Sequence, residues 1–195
     1  MSSYLETIKA VDGKIFNIFY HQKRYESVLN SFGIQKYENL LEYLNPPQKG
    51  LYRCRVVYSF DTISVTYHLY KKRDIQTLKL VYDDNIKYDL KLENRERLND
   101  LFQQKNNCND ILIVKNRLIT DTTIANIAFF KNGIWFTPKE PLLKGTTRAR
   151  LLDEGKIVEK SIRVTDIFNY TQVALLNAMI DFDIMAQKYI RKIIC

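Results

Sequence analysis

The chain has 195 residues, of which 46% are hydrophobic, 27% charged and 12% aromatic; that is ample material for a core and excludes a disordered or collagen-like chain. Its longest apolar stretches, 124–130 and 173–180, are each interrupted by an asparagine and fall short of the ~18–20 residues a membrane helix needs. Thirty Lys and Arg against 22 Asp and Glu leave a net charge of +8, which favours anionic partners.

Apart from Lys71-Lys72-Arg73 and the tail around Lys188 to Lys192, the basic residues are scattered among acidic ones. A small anionic metabolite is therefore the expected partner, and neither nucleic acid nor a membrane. The opening Met1-Ser2-Ser3-Tyr4-Leu5-Glu6 has no basic segment followed by an apolar one, so a cytoplasmic location is expected. Cys54, Cys108 and Cys195, odd in number and far apart, agree with that location and predict no disulfide framework.

In chain order, Tyr4 to Val11 reads as a strand, and Asp12-Gly13 as the hairpin turn into a second strand over Lys14 to Phe19. Tyr25, Val28, Leu29 and Phe32 recur at helical spacing before the stop at Gly33. A short helix over Tyr37 to Leu44 ends ahead of Pro46-Pro47. Leu51 to Phe60 and Ile63 to Tyr70 read as paired strands, the latter alternating Ile63, Val65, Tyr67 and Leu69 with polar residues. These elements make a small N-terminal α/β lobe, residues 1–74, closed by the charged hinge Lys71 to Asp74.

A larger C-terminal lobe, residues 75–195, is expected to follow. Its predicted strands are Leu78 to Tyr82, Tyr88 to Leu92, Asp110 to Val114, Leu118 to Thr122, Ala125 to Phe130, Trp135 to Thr137, Ile157 to Arg163 and Val173 to Asn177. Helices are predicted over Asn94 to Lys105, from Thr147 to Gly155, and over Phe182 to Ile194 at the close. Strands dominate the first lobe and mix with helices in the second, which makes the class α+β, or mixed α/β.

Two histidines and three isolated cysteines leave too few ligands for a zinc or redox-metal site. Six widely spaced glycines spell neither a dinucleotide fingerprint nor a P-loop. Four segments offer other chemistry. Gly145-Thr146-Thr147-Arg148 precedes an apolar helical run, so its amides could hold an oxyanion at a helix start, although a threonine cap after a glycine turn reads the same way. His21-Gln22-Lys23-Arg24 stands where a hairpin enters a helix and reads equally as an exposed basic turn. Lys91, just ahead of Asn94-Arg95, is either edge decoration or a desolvated amine able to react with carbonyls. Asp121 is a carboxylate in an apolar, hydroxyl-bearing β region, where it either pairs with a cation or caps a turn.

Taken together, Glu6-Thr7-Ile8 with Asp12-Gly13-Lys14-Ile15-Phe16, His21-x-x-Arg24, Lys91 three residues before Asn94-Arg95, Ile119-Thr120-Asp121 with Asn126-Ile127, and Gly145-Thr146-Thr147-Arg148 resemble the ordered landmarks of the class IV aminotransferases. That family of pyridoxal-phosphate enzymes includes branched-chain and D-amino-acid aminotransferases and aminodeoxychorismate lyase. The resemblance spans residues 4 to 180 and marks a short member.

The resemblance implies a two-lobed fold type IV enzyme, cofactor pyridoxal 5′-phosphate, working as a homodimer. It makes Lys91 the catalytic lysine that carries the cofactor and moves the substrate Cα proton. Arg24 and the Gly145, Thr146 and Thr147 backbone then bind the phosphate, Asp121 pairs with the pyridine nitrogen where relatives commonly have Glu, and Asn177 closes the phosphate side. Arg53 and Arg55 are candidates for a substrate carboxylate. The reaction expected is that of aminodeoxychorismate lyase, which makes 4-aminobenzoate and pyruvate in folate synthesis; the alternatives are amino-acid transamination by the same residues, or binding by a cofactor-free relative.

Overall fold

The computed structural model describes residues 3–187 and 189–194. Alternation over β1 (Tyr4–Val11) turns Tyr4, Glu6, Ile8 and Ala10 to one buried face. Asp12 and Gly13 both take positive φ, 47° and 78°, the geometry of the tight turn that Asp-Gly favours, and lead into β2 (Lys14–Ile15). That strand was expected to reach Phe19. It is cut short because Asn17 turns left-handed, φ 54°, and opens helix α1 (Ile18–Asn30). One face of α1, with His21, Tyr25, Val28 and Leu29, is buried, the 3.6-residue spacing of an amphipathic helix. A single 3-10 turn, Leu40–Tyr43, stands in place of the second predicted helix.

Strands β3 (Leu51–Tyr58) and β4 (Ile63–Leu69) complete an antiparallel sheet of order β2-β1-β3-β4. Its core gathers Tyr4, Ile8, Tyr25, Val28, Leu29, Cys54, Val56 and Tyr58.

Two compact units result. One holds the described residues up to Lys72 together with Leu90–Asn94; the other holds Arg73–Asp89 and the described residues from Arg95 onward. The second unit begins with β5 (Leu78–Tyr82), α2 (Glu96–Gln103), β6 (Asp110–Lys115), β7 (Leu118–Thr122), β8 (Asn126–Lys131) and β9 (Ile134–Pro138). It continues with α3 (Thr146–Asp153), β10 (Val158–Lys160), β11 (Gln172–Asn177) and β12 (Asp181–Ile184).

Its sheet runs β10-β9-β8-β7-β6-β5, with β11 also on β8 and β12 on β11. The β5–β6 and β9–β10 pairs are parallel and the rest antiparallel. The core is built on Leu78, Leu112, Val114, Ile127, Phe129, Val173 and Leu175.

The structure departs from three expectations. The predicted strand Tyr88 to Leu92 is an irregular segment with one isolated bridge, Tyr4↔Leu92. The predicted closing helix begins instead as β12, because the turn after β11, with Asp181 at φ 60°, folds the chain back antiparallel onto that strand; α4 (Ile190–Ile193) follows, and position 188 of that prediction lies outside the described residues. Cys108 is disulfide-bonded, where the odd number and wide spacing of the cysteines predicted no disulfide framework. Among the described residues no helix is long and apolar enough to cross a membrane, and no group of three or more His, Cys, Asp or Glu could hold a metal ion.

Candidate active site

An acidic residue on the inward face of an apolar strand needs a partner, because an unpaired buried charge is costly. Glu6 is fully buried and has two partners on α1. Its Oε2 accepts from His21 Nδ1 at 2.6 Å and from Arg24 Nη2 at 2.6 Å, while Oε1 accepts from Arg24 Nε at 2.7 Å. Burial pushes the Glu6 pKa up, but the Arg24 charge and the hydrogen bonds from His21 and Arg24 outweigh it and bring it to about 2. Burial lowers the His21 pKa despite Glu6, with Arg24 and Lys91 acting in the same direction. With Glu6 ionised, His21 Nδ1 is the donor of their hydrogen bond, and Nε2 has no hydrogen-bond partner among the described residues.

The segment carrying Lys91 belongs to this same unit and not, as expected, to the C-terminal lobe. The cause is an open strand edge. One edge of β1 is paired along its length with β3, whereas β2 covers only Ala10 and Val11 of the other. Residues 91–93 take up the start of that free edge: Leu5 N–H donates to the Lys91 carbonyl at 2.8 Å, and Glu93 N–H to the Ser3 carbonyl at 2.9 Å. The backbone on both sides of Leu92, from the Lys91 carbonyl to the Glu93 amide, is therefore tied to the start of β1.

Arg53 and Arg55 project from one face of β3, since strand neighbours two apart share a face. Arg53 is exposed and stands level with Lys9 and His68 across three strands. Arg55 is engaged with Glu93, its Nη2 lying 2.8 Å from Oε1.

In the second unit, Asp121 is buried and its oxygens are held by neutral donors: Asn126 Nδ2 to Oδ1 at 2.7 Å and Leu143 N–H to Oδ2 at 2.9 Å. Burial is the leading cause that raises its pKa, to about 7, against these bonds and the Arg148 charge. A register shift between β6 and β7 re-aims residues as bulges do. All of Ile119 to Thr122 is buried, including the Thr120 hydroxyl, which donates to the Ile113 carbonyl at 2.8 Å.

Gly145 starts α3, and no side chain caps the helix. Thr146 and Thr147 are buried there. The first amides of a helix have no intrahelical acceptor, so a buried, uncapped start is suited to an anion. Arg148, also buried, is committed to the Pro138 carbonyl at 2.8 Å and to Glu159 at 2.6 Å.

Asn177 is occupied within its own turn. Its Oδ1 accepts from the amides of Met179 and Ile180, and its Nδ2 donates to the Ile124 carbonyl. Thus Arg24 and Lys91 stand in one unit, and Asp121, Gly145, Thr146, Thr147 and Asn177 in the other.

Sequence reasoning gave no separate role to Glu6 or Asn126. Alternation was the available signal for Glu6, a charge in phase with Tyr4, Ile8 and Ala10; Asn126 had none, since its partners include a carbonyl 17 residues away.

The α+β architecture is that of the fold type IV proteins, a pyridoxal-phosphate-dependent class. Residues 85–182 match the family model for amino-transferase class IV, and the chain belongs to that family. It is 38% identical over 185 residues to an uncharacterized protein of Haemophilus influenzae, covering 92% of this chain and 98% of the other. The crystal structure of a "putative 4-amino-4-deoxychorismate lyase" from Haemophilus somnus 129PT superposes with a TM-score of 0.85 at 36% identity, over 92% of this chain and 97% of that one. A Schizosaccharomyces pombe protein named "Putative aminodeoxychorismate lyase" is 36% identical over 89 residues, 43% of this chain and 38% of that protein. The short length is thus shared by the first two relatives.

Proposed function

We propose that the protein is a pyridoxal-phosphate enzyme that converts aminodeoxychorismate to 4-aminobenzoate and pyruvate. The observation that carries the cofactor assignment is the pairing, within one unit, of a buried carboxylate held by neutral donors with a buried, uncapped helix start two residues beyond Leu143. The first suits a protonated ring nitrogen and the second a phosphate. Arg24 and the Gly145–Thr147 backbone would hold the phosphate, Asp121 the ring nitrogen, and Lys91 the aldehyde carbon. When bound, the cofactor supplies an electron sink for a carbanion at the substrate Cα.

The protein's own residues would do the rest. Glu6 keeps the Arg24 guanidinium oriented. Lys91 Nζ, on a segment tied to β1, takes the Cα proton, which precedes loss of pyruvate and aromatisation of the ring. Arg53, exposed on β3, would meet a substrate carboxylate. The lyase reaction is favoured over transamination by the names carried by two relatives at 36% identity. The homodimer expected from the resemblance is part of the same proposal and is tested by sedimentation.

Incubation with pyridoxal phosphate should produce a visible absorption band, and borohydride reduction should fix the cofactor mass on the peptide containing Lys91. No band, or a Lys91→Ala variant with full activity, rejects the enzyme. Release of 4-aminobenzoate from aminodeoxychorismate is then compared with keto-acid-dependent transamination; activity in the second assay alone rejects the lyase.

A further inference from the structure

We propose that Asn126 is a positioning residue which sets the spacing between the Asp121 carboxylate and the turn at Gly145, and with it the length of ligand the second unit accepts. The inference rests on the function proposed above, in which these two groups take the two ends of one phosphorylated aromatic cofactor.

Asn126 stands opposite Asp121 in the β7–β8 pair. Its side chain is buried, and both hydrogens of its amide are used: Nδ2 donates to Asp121 Oδ1 at 2.7 Å and to the Leu143 carbonyl at 2.8 Å. The loop answers in kind, since the Leu143 N–H donates to the other oxygen of Asp121 at 2.9 Å. Asp121, Asn126 and Leu143 therefore close a ring of three hydrogen bonds. The remaining atom of the amide, Oδ1, packs against Gly145 so closely that a Cβ on the glycine would lie far inside van der Waals contact distance of it. Gly145 has φ −68°, an ordinary value for any residue, so it is proximity to Asn126 and not backbone conformation that demands glycine here.

One side chain thus holds the carboxylate with its nitrogen and abuts the start of α3 with its oxygen. Aspartate has the shape but lacks the donors when ionised, and alanine lacks both donors and bulk. A residue kept only to satisfy Asp121 would not need the oxygen-side contact with the glycine. A ligand that bridges both ends depends on the distance between them. One that touches a single end does not.

The test uses the full chain as wild type, Asn126→Ala, Asn126→Asp, Gly145→Ala and the Asn126→Ala/Gly145→Ala double variant, with calorimetric affinities for pyridoxal phosphate, pyridoxal and inorganic phosphate. Asn126→Ala and Asn126→Asp should each weaken pyridoxal phosphate at least tenfold while changing inorganic phosphate less than threefold. Gly145→Ala should weaken pyridoxal phosphate at least tenfold alone but less than twofold once Asn126 is alanine, the non-additivity of a direct contact. If one Asn126 variant is too unstable to purify, the other together with Gly145→Ala still decides. Equal loss for all three ligands, unchanged pyridoxal phosphate affinity in the variants, or additive Asn126 and Gly145 effects would each overturn the proposal. Wild type that binds no pyridoxal phosphate overturns the cofactor assignment first and this proposal with it; wild-type binding with indifferent variants overturns this proposal alone.

Discussion

The buried carboxylate of Glu6 grips Arg24 through two nitrogens of the guanidinium, Nε at 2.7 Å and Nη2 at 2.6 Å. Such a fork fixes the plane of the arginine as well as its charge. Removing one member of a buried pair strands the other, at a cost of about 3–5 kcal/mol. Glu6→Ala is therefore expected to destabilise the chain by about that amount in urea or guanidinium unfolding, and to weaken pyridoxal phosphate more than pyridoxal. Equal weakening of both would separate Arg24 from the phosphate.

Glu6 also dictates an acid limb of the stability curve. Its pKa is depressed in the folded chain, from 4.5 to about 2, so the unfolded chain binds the proton more readily. The contribution is complete above pH 4.5 and is lost as pH falls toward 2. Wild-type melting temperature should drop steeply over that window, and Glu6→Gln should flatten the drop. An unchanged slope in the variant would refute the assignment.

Asp121 acts with the opposite sign. Its folded pKa is raised from 3.8 to about 7, so the folded chain holds the proton more tightly; stability from this group is full below pH 3.8 and lost as pH rises through 7. His21, whose folded pKa is lowered from 6.5, opposes it by favouring the folded state above pH 6.5. The difference in melting temperature between wild type and Asp121→Asn isolates the carboxylate. Without cofactor, wild type should lose ground to Asp121→Asn as pH rises from 4 to 8, and a constant difference would contradict the raised pKa. With cofactor, Asp121→Asn should lower turnover ~10²-fold or more, the scale of losing one preorganised electrostatic partner.

The two arginines of β3 should separate by kinetics. Arg53 is exposed, so Arg53→Ala is expected to leave stability within about 0.5 kcal/mol while raising KM by ~10–100-fold, the worth of one charge-assisted hydrogen bond. Arg55 is bonded to Glu93, two residues from Lys91. Arg55→Ala should lower kcat more than it raises KM, because it loosens the segment that aims the lysine. Steady-state kinetics on aminodeoxychorismate read both.

Local pattern carried much of the fold. β1, β5 and β7 run over the residues that alternation and apolar runs marked out, and the buried face of α1 holds three of the four residues its spacing named, Tyr25, Val28 and Leu29. Phe32 fell past the helix end and is exposed. The pattern failed where a local signal is shared by two outcomes. Residues 182–194 have apolar spacing compatible with a helix, but the free edge of β11 captured Asp181–Ile184 as a strand.

The sequence by itself determined the ordered motifs around Arg24, Lys91, Asp121 and Gly145, hence the family, because glycine, lysine and carboxylate chemistry is written residue by residue. Only the tertiary structure decided that Glu6 pairs with an arginine 18 residues on, that the Lys91 segment joins the first unit, and that Asn126 ties Asp121 to the loop before α3. Each of these depends on which strand edge is left open or which buried donor lacks a partner, and such non-local pairing leaves no period in the chain.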